Sequence, residues 1–159
     1  MRRLLVPLFL IALLFSLVPV VSTPSSLTGT VVRFDPATVE LGPYFCVNDT
    51  FTLKARVDNV EDLLGFEFEI AWNTTYLEYV DHIAKVPVEV YADGLIHEPV
   101  MWIKDEVNAS EGWYWVAVTT LGGPSFNGSG IAFEITFSVK YQPVDPEPDV
   151  NFMVEFIEA

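Results

Sequence analysis

One cysteine, Cys46, stands in 159 residues. No disulfide can close within the chain, so stability has to come from a packed core and not from covalent staples. A lone cysteine of this kind is expected to serve as a small buried apolar residue, pairing between chains being the alternative. Basic residues are scarce as well, 8 against 22 acidic. Two of the eight, Arg2 and Arg3, belong to the extreme N-terminus, and without them the formal charge is −16. A surface that negative repels nucleic acid and anionic lipid. It suits solubility in a salty exterior, or a basic protein partner. No helical period lasts ten residues. His82 and His97 lack the helical spacing of a metal pair, and neither a Gly-x-Ser-x-Gly elbow nor a Gly-rich phosphate loop is present. Paired carboxylates of a glycosidase carry no weight here, because so many acids pair by chance. A non-catalytic chain without a cofactor is expected.

What is there begins with a leader. Met1-Arg2-Arg3 is a basic start, Leu4 to Val21 is an apolar run of 18 residues, and Val20 and Ser22 are the small residues that precede a cleavage at Thr23. Residues 1–22 read as a signal peptide. Retention as a membrane anchor is the alternative at this length, and Pro7, Pro19 and the short basic start favour cleavage. Four of the six asparagines then fall in N-glycosylation sequons: Asn48-Asp49-Thr50, Asn73-Thr74-Thr75, Asn108-Ala109-Ser110 and Asn127-Gly128-Ser129. The protein is expected to be secreted, extracellular or on the cell surface, with all four asparagines exposed.

After a Ser/Thr/Pro-rich linker at 23–29, one domain over 30–159 is predicted, a length sufficient for one core and too short for two. Period-two alternation dominates it. Phe51, Leu53, Ala55 and Val57 form one half-buried strand, Phe66, Phe68, Ile70 and Trp72 a second, and Ile131, Phe133, Ile135, Phe137 and Val139 the cleanest third. Shorter β-rich runs lie at Thr30–Phe34, Leu77–Val80, Val86–Tyr91, Val100–Ile103, Trp113–Thr120 and Val150–Ile157. Turn residues separate them, including Asp93-Gly94, Gly122-Gly123-Pro124 and Asn127-Gly128, and Val60–Leu64 has room for one helical turn at most. About nine short strands without crossover helices predict an all-β, antiparallel β-sandwich. Phe51, Leu53, Phe66, Phe68, Ile70, Phe133, Ile135 and Phe137 are expected to share one core.

Two acidic clusters, Asp58/Glu61/Asp62 and Asp145/Glu147/Asp149, offer three oxygen donors each where calcium wants six to eight. They read as solvated loops, and no metal site is assigned. The aromatics say more. On a strand, Trp113 and Trp115 share a face with Ala117, while Tyr114, Val116 and Val118 share the other. The second set is the better core, which puts both tryptophans outside, about 7 Å apart. Exposed tryptophans stack on sugars or anchor protein interfaces. The reversed register, with both indoles in the core, is the competing arrangement.

Three stretches together resemble the cohesin-like modules, relatives of the family 2 and 3 carbohydrate-binding modules. They are Val57-Asp58-Asn59-Val60-Glu61-Asp62-Leu63-Leu64-Gly65-Phe66-Glu67-Phe68, Ile70-Ala71-Trp72-Asn73-Thr74-Thr75-Tyr76-Leu77-Glu78-Tyr79-Val80, and Val116–Gly123 followed by Gly128–Phe137. The resemblance runs from Val31 to Glu158. It departs at Asn73-Thr74, where the family has Asp-Pro, and the sequence stops at Ala159 before the family's final strand, so that either it is a fragment or the last sheet edge is left open or filled by a partner. The resemblance implies a nine-stranded jelly roll, extracellular and non-catalytic, that holds a dockerin-like protein module or, in related families, polysaccharide. The family grips dockerin on the outer face of the sheet holding its third and sixth strands. Carried over, that face presents Glu67, Glu69 and Ala71 with Trp113, Trp115 and Ala117. The reading that follows is a scaffolding or adhesion module. Carbohydrate binding is the alternative, and an accessory piece of a glycoside hydrolase a distant third.

Overall fold

A computed structural model describes residues 29–39, 46–141 and 154–155. The predicted leader, the linker up to Thr28 and the Asp145/Glu147/Asp149 cluster lie outside them. Eight strands occur among the described residues: β1 (Val31–Asp35), β2 (Thr50–Leu63), β3 (Gly65–Ala71), β4 (Leu77–Ala84), β5 (Val100–Asn108), β6 (Trp113–Thr120), β7 (Phe126–Val139) and β8 (Val154–Glu155). They form two four-stranded sheets, β1-β2-β7-β4 and β5-β6-β3-β8, in which every strand pair is antiparallel. The all-β sandwich expected from the alternation is therefore present. None of its described elements is a helix long and apolar enough to cross a membrane.

The core follows the period-two pattern, because successive side chains of a strand point to opposite faces. Leu53, Phe68, Ile70, Phe133, Ile135 and Phe137 are buried together, and Phe51 and Phe66 pack half-buried against them. The two layers meet through aromatic edges. Tyr114 and Phe68 of one sheet stand edge-on to Phe133 of the other, at 5.1 and 5.9 Å between ring centres, and Trp72 meets Phe137 at 5.0 Å. Full burial of such a side chain stabilises the fold by about 1.5–3 kcal/mol.

Four expectations are corrected. Val86–Tyr91 is not a strand: Pro87 has no N–H to give a ladder, and its carbonyl instead accepts from Val90 and Tyr91 in a tight turn. The 85–97 segment then docks on β7, with Lys85 N bonded to the Ala132 carbonyl and Ile131 N to the Asp93 carbonyl. Val86, Leu95 and Ile96 thereby enter the core. The approach is close enough that a Cβ on Gly130 would collide with the Gly94 carbonyl.

Asn127-Gly128 is not a turn either, since β7 runs through it, and Val60–Leu64 continues β2 instead of turning helically. Both facts come from bulges in β2, where the register shifts on either side of Val60. Asn59 and Asp62 adopt positive φ there, 59° and 53°, a conformation that Asn and Asp tolerate. Their bulged N–H groups leave the ladder and are accepted by Ser129 Oγ and Asn127 Oδ1. A further shift opposite Ala55 and Arg56 puts Ala132 into the core, while Ile131, though buried, stays out of it. Finally, Cys46 is exposed and not buried. It sits in the turn before β2, where its N–H donates to the Asp49 carboxylate.

Candidate binding face

β3 and β6 lie side by side in the middle of their sheet, and β5 flanks β6. Tyr114, Val116 and Val118 point inward and belong to the core, so Trp113, Trp115 and Ala117 face out. Cross-strand partners share a face, and the register sets three rows on the outer surface: Ala71–Trp113–Asn108, Glu69–Trp115–Glu106 and Glu67–Ala117–Lys104. All six residues singled out from the sequence thus converge on one surface.

The two indoles are half-buried, and each is tied down by its N–H. Trp115 Nε1 donates to Glu67 Oε1 at 2.8 Å, and Trp113 Nε1 to Glu111 Oε2 at 3.0 Å. Hydrogen bonds to a carboxylate are among the stronger ones, so both rings are held in place before any partner arrives. Lys104 Nζ lies 4.9 Å from the Trp115 ring centre and 2.9 Å from both Glu106 oxygens. One face of that ring therefore carries a cation. Ala117 is only 3 % exposed. Its methyl, in a row with Glu67 and Lys104, presents little to a partner.

A second cluster, which the sequence reading did not reach, joins the two sheets beside this face. Tyr79 Oη and His82 Nδ1 on β4 are 2.6 Å apart, His82 Nε2 lies 3.0 Å from Asp105 Oδ1 on β5, and Tyr114 Oη donates to the same oxygen at 3.0 Å. Burial, aided by the Asp105 charge, pushes the Tyr114 hydroxyl far above its ordinary pKa. Tyr79 is raised too, through burial and the charges of Asp81 and Asp105. The cluster is a clamp between sheet edges.

His97 pairs instead with Glu89, Nδ1 to Oε1 at 2.8 Å, and holds that carboxyl below its usual range. The Asp58/Glu61/Asp62 group does not converge. Asp58 is held by Arg33 and Arg56, the Arg33 bond lowering its pKa, and Asp62 Oδ1 accepts from Ser125. No three metal-ligating side chains come together among the described residues. Of the sequon asparagines, Asn48, Asn73 and Asn127 are exposed, and Asn108 is half-buried.

No protein-family model matches the chain, and no curated protein matches it. Solved structures do. The crystal structure of a CaDoc0917–CaCohA2 complex at pH 5.5 superposes with a TM-score of 0.50 at 11% identity, covering 69% of this chain and 73% of that one. A type I cohesin–dockerin complex from Clostridium thermocellum gives 0.49 at 17% identity, covering 74% and 76%. A non-cellulosomal cohesin from the hyperthermophilic archaeon Archaeoglobus fulgidus gives 0.46 at 13% identity, covering 70% of this chain and 65%, just under two thirds, of that one. At such identities the likeness concerns the fold. Two antiparallel sheets, with β3 and β6 central in theirs, give the chain a cohesin-like sandwich fold.

Proposed function

We propose that this is a secreted, non-catalytic module that holds a dockerin-like protein partner on the outer face of β5-β6-β3. The observation that carries the reading is the pair of outward indoles, each fixed by a carboxylate, in an otherwise acidic surface. Among described side chains, Glu67, Glu69, Glu106 and Glu111 surround Trp113 and Trp115, and Lys104 is the cation placed among them. An aromatic centre within a ring of carboxylates suits a helix bearing Lys or Arg. The fold supports the same reading, since solved structures of similar fold hold dockerins. Sugar stacking is the weaker alternative, because Lys104 already occupies one face of Trp115. Export rests on the basic start, the apolar run and the four sequons, and N-terminal sequencing of secreted protein should begin within a few residues of Thr23.

Calorimetric titration of the secreted protein against a panel of dockerin modules, beside a glycan array, tests the partner. Binding to a dockerin that disappears in Trp113→Ala supports the proposal. Binding on the array that disappears in the same variant, with no dockerin bound, transfers the face to carbohydrate and overturns it.

A further inference from the structure

The four sequons are equivalent in sequence and unequal in place. Asn127 lies on β7 opposite the β2 bulge, where its Oδ1 is spent on Asp62 N and the sequon hydroxyl of Ser129 on Asn59 N. Asn108 closes β5 directly opposite Trp113, so the two side chains leave the same face about 5 Å apart at Cβ. Its Oδ1 accepts from its own sequon hydroxyl, Ser110 Oγ, at 2.7 Å, and from Glu111 N at 3.1 Å. Its Nδ2 donates to Glu111 Oε2 at 2.9 Å, the oxygen that also accepts from Trp113 Nε1 at 3.0 Å. One carboxylate oxygen thus links the acceptor nitrogen of a sequon to an indole of the candidate face, in a bond that lies at the exposed surface.

We propose that Asn108 is an N-glycosylation site whose glycan screens the Trp113 end of the partner face. The modification joins the side-chain nitrogen to C1 of an oligosaccharide activated as its lipid diphosphate. The N–C1 bond forms as the C1–O bond to phosphate breaks, the lipid diphosphate leaves with that electron pair, and the nitrogen gives up one proton. No oxidant is needed. The glycosylated amide keeps one N–H, which can still donate to Glu111, so the first sugar stays anchored beside the indole. A hydrated glycan there covers the ring and competes with a partner for it. The effect on partner affinity, though not the screening itself, rests on the function proposed above.

The test uses secreted protein and three variants. Ser110→Ala removes the sequon, Ser110→Thr preserves it, and Ser129→Ala removes the distant sequon at Asn127. Glycopeptide mass spectrometry should find sugar on Asn108 in the parent, in Ser110→Thr and in Ser129→Ala, and none there in Ser110→Ala. Acrylamide quenching of tryptophan fluorescence should rise in Ser110→Ala and not in Ser129→Ala, and the rise should vanish in a Trp113→Phe background. An unmodified Asn108 in secreted protein overturns the proposal, as does quenching unchanged by Ser110→Ala. Dockerin affinity should rise at least about tenfold in Ser110→Ala. If occupancy and quenching behave as stated while Trp113→Ala binds dockerin like its parent, the screening holds and the partner-face reading is what fails.

Discussion

The two sheets carry opposite kinds of outer surface. Outside β1-β2-β7-β4, the cations are matched: Arg33 and Arg56 hold Asp58, Lys54 and Lys85 share Glu134, and Thr52 bonds to Thr136 across the strands. Outside β5-β6-β3, four glutamates and two indoles stand with Lys104 alone among them. A surface whose cations are satisfied by its own neighbours gains little from a partner. One with surplus carboxylates around fixed aromatics has interactions left to make. The difference supports the proposed recognition on one face and solvation on the other, although both sheets of the comparison obey the same alternation.

The largest effect should come from what the two faces share. Phe68→Ala and Phe137→Ala each remove a ring buried between the sheets, and each should lower unfolding stability by about 3–5 kcal/mol. Denaturant unfolding that shifts by less than about 1 kcal/mol in both would break the shared-core picture. Next come the indoles: Trp113→Ala and Trp115→Ala should cost about 2–4 kcal/mol of partner binding by calorimetry. Their stability should change by less than about 1 kcal/mol, as befits outward side chains.

A third prediction sharpens the boundary where the sheets are clamped. Tyr114 and Tyr79 have raised pKa values in the folded protein, whereas tyrosines of the unfolded chain ionise at about 10. Their contribution to stability is therefore complete below about pH 10 and is lost as pH rises beyond it. An alkaline melting series should show that decline, and Tyr114→Phe should flatten it. The smallest effect belongs to the solvated face. Lys54→Ala, at a half-buried residue ion-paired with Glu134, should shift stability by at most about 1 kcal/mol and leave binding unchanged.

Much of this was legible in the sequence because period two is a strong signal. Phe133, Ile135 and Phe137 could be assigned inward from spacing alone, whereas Tyr114, Val116 and Val118 were the better core set but spacing left the reversed register open, and the strand's packing decides it. Bulges were not legible. A bulge inserts one residue and reverses every side chain beyond it, so Ala132 entered the core where alternation placed Ile131. Leu95 and Ile96 carry no period, since their burial depends on a loop docking onto β7. His82 and Asp105 are 23 residues apart and meet only because β4 and β5 are edges of facing sheets. Nothing local in either segment records that.

The assignment of recognition to one face is tested most directly by amide and indole NMR shifts on adding a bound dockerin. Shifts should concentrate at Glu67, Glu69, Glu106 and the indole N–H signals of Trp113 and Trp115, with Thr52, Lys54 and Thr136 unmoved. Shifts centred on Thr52, Lys54 and Thr136, with both indole signals in place, would contradict the account.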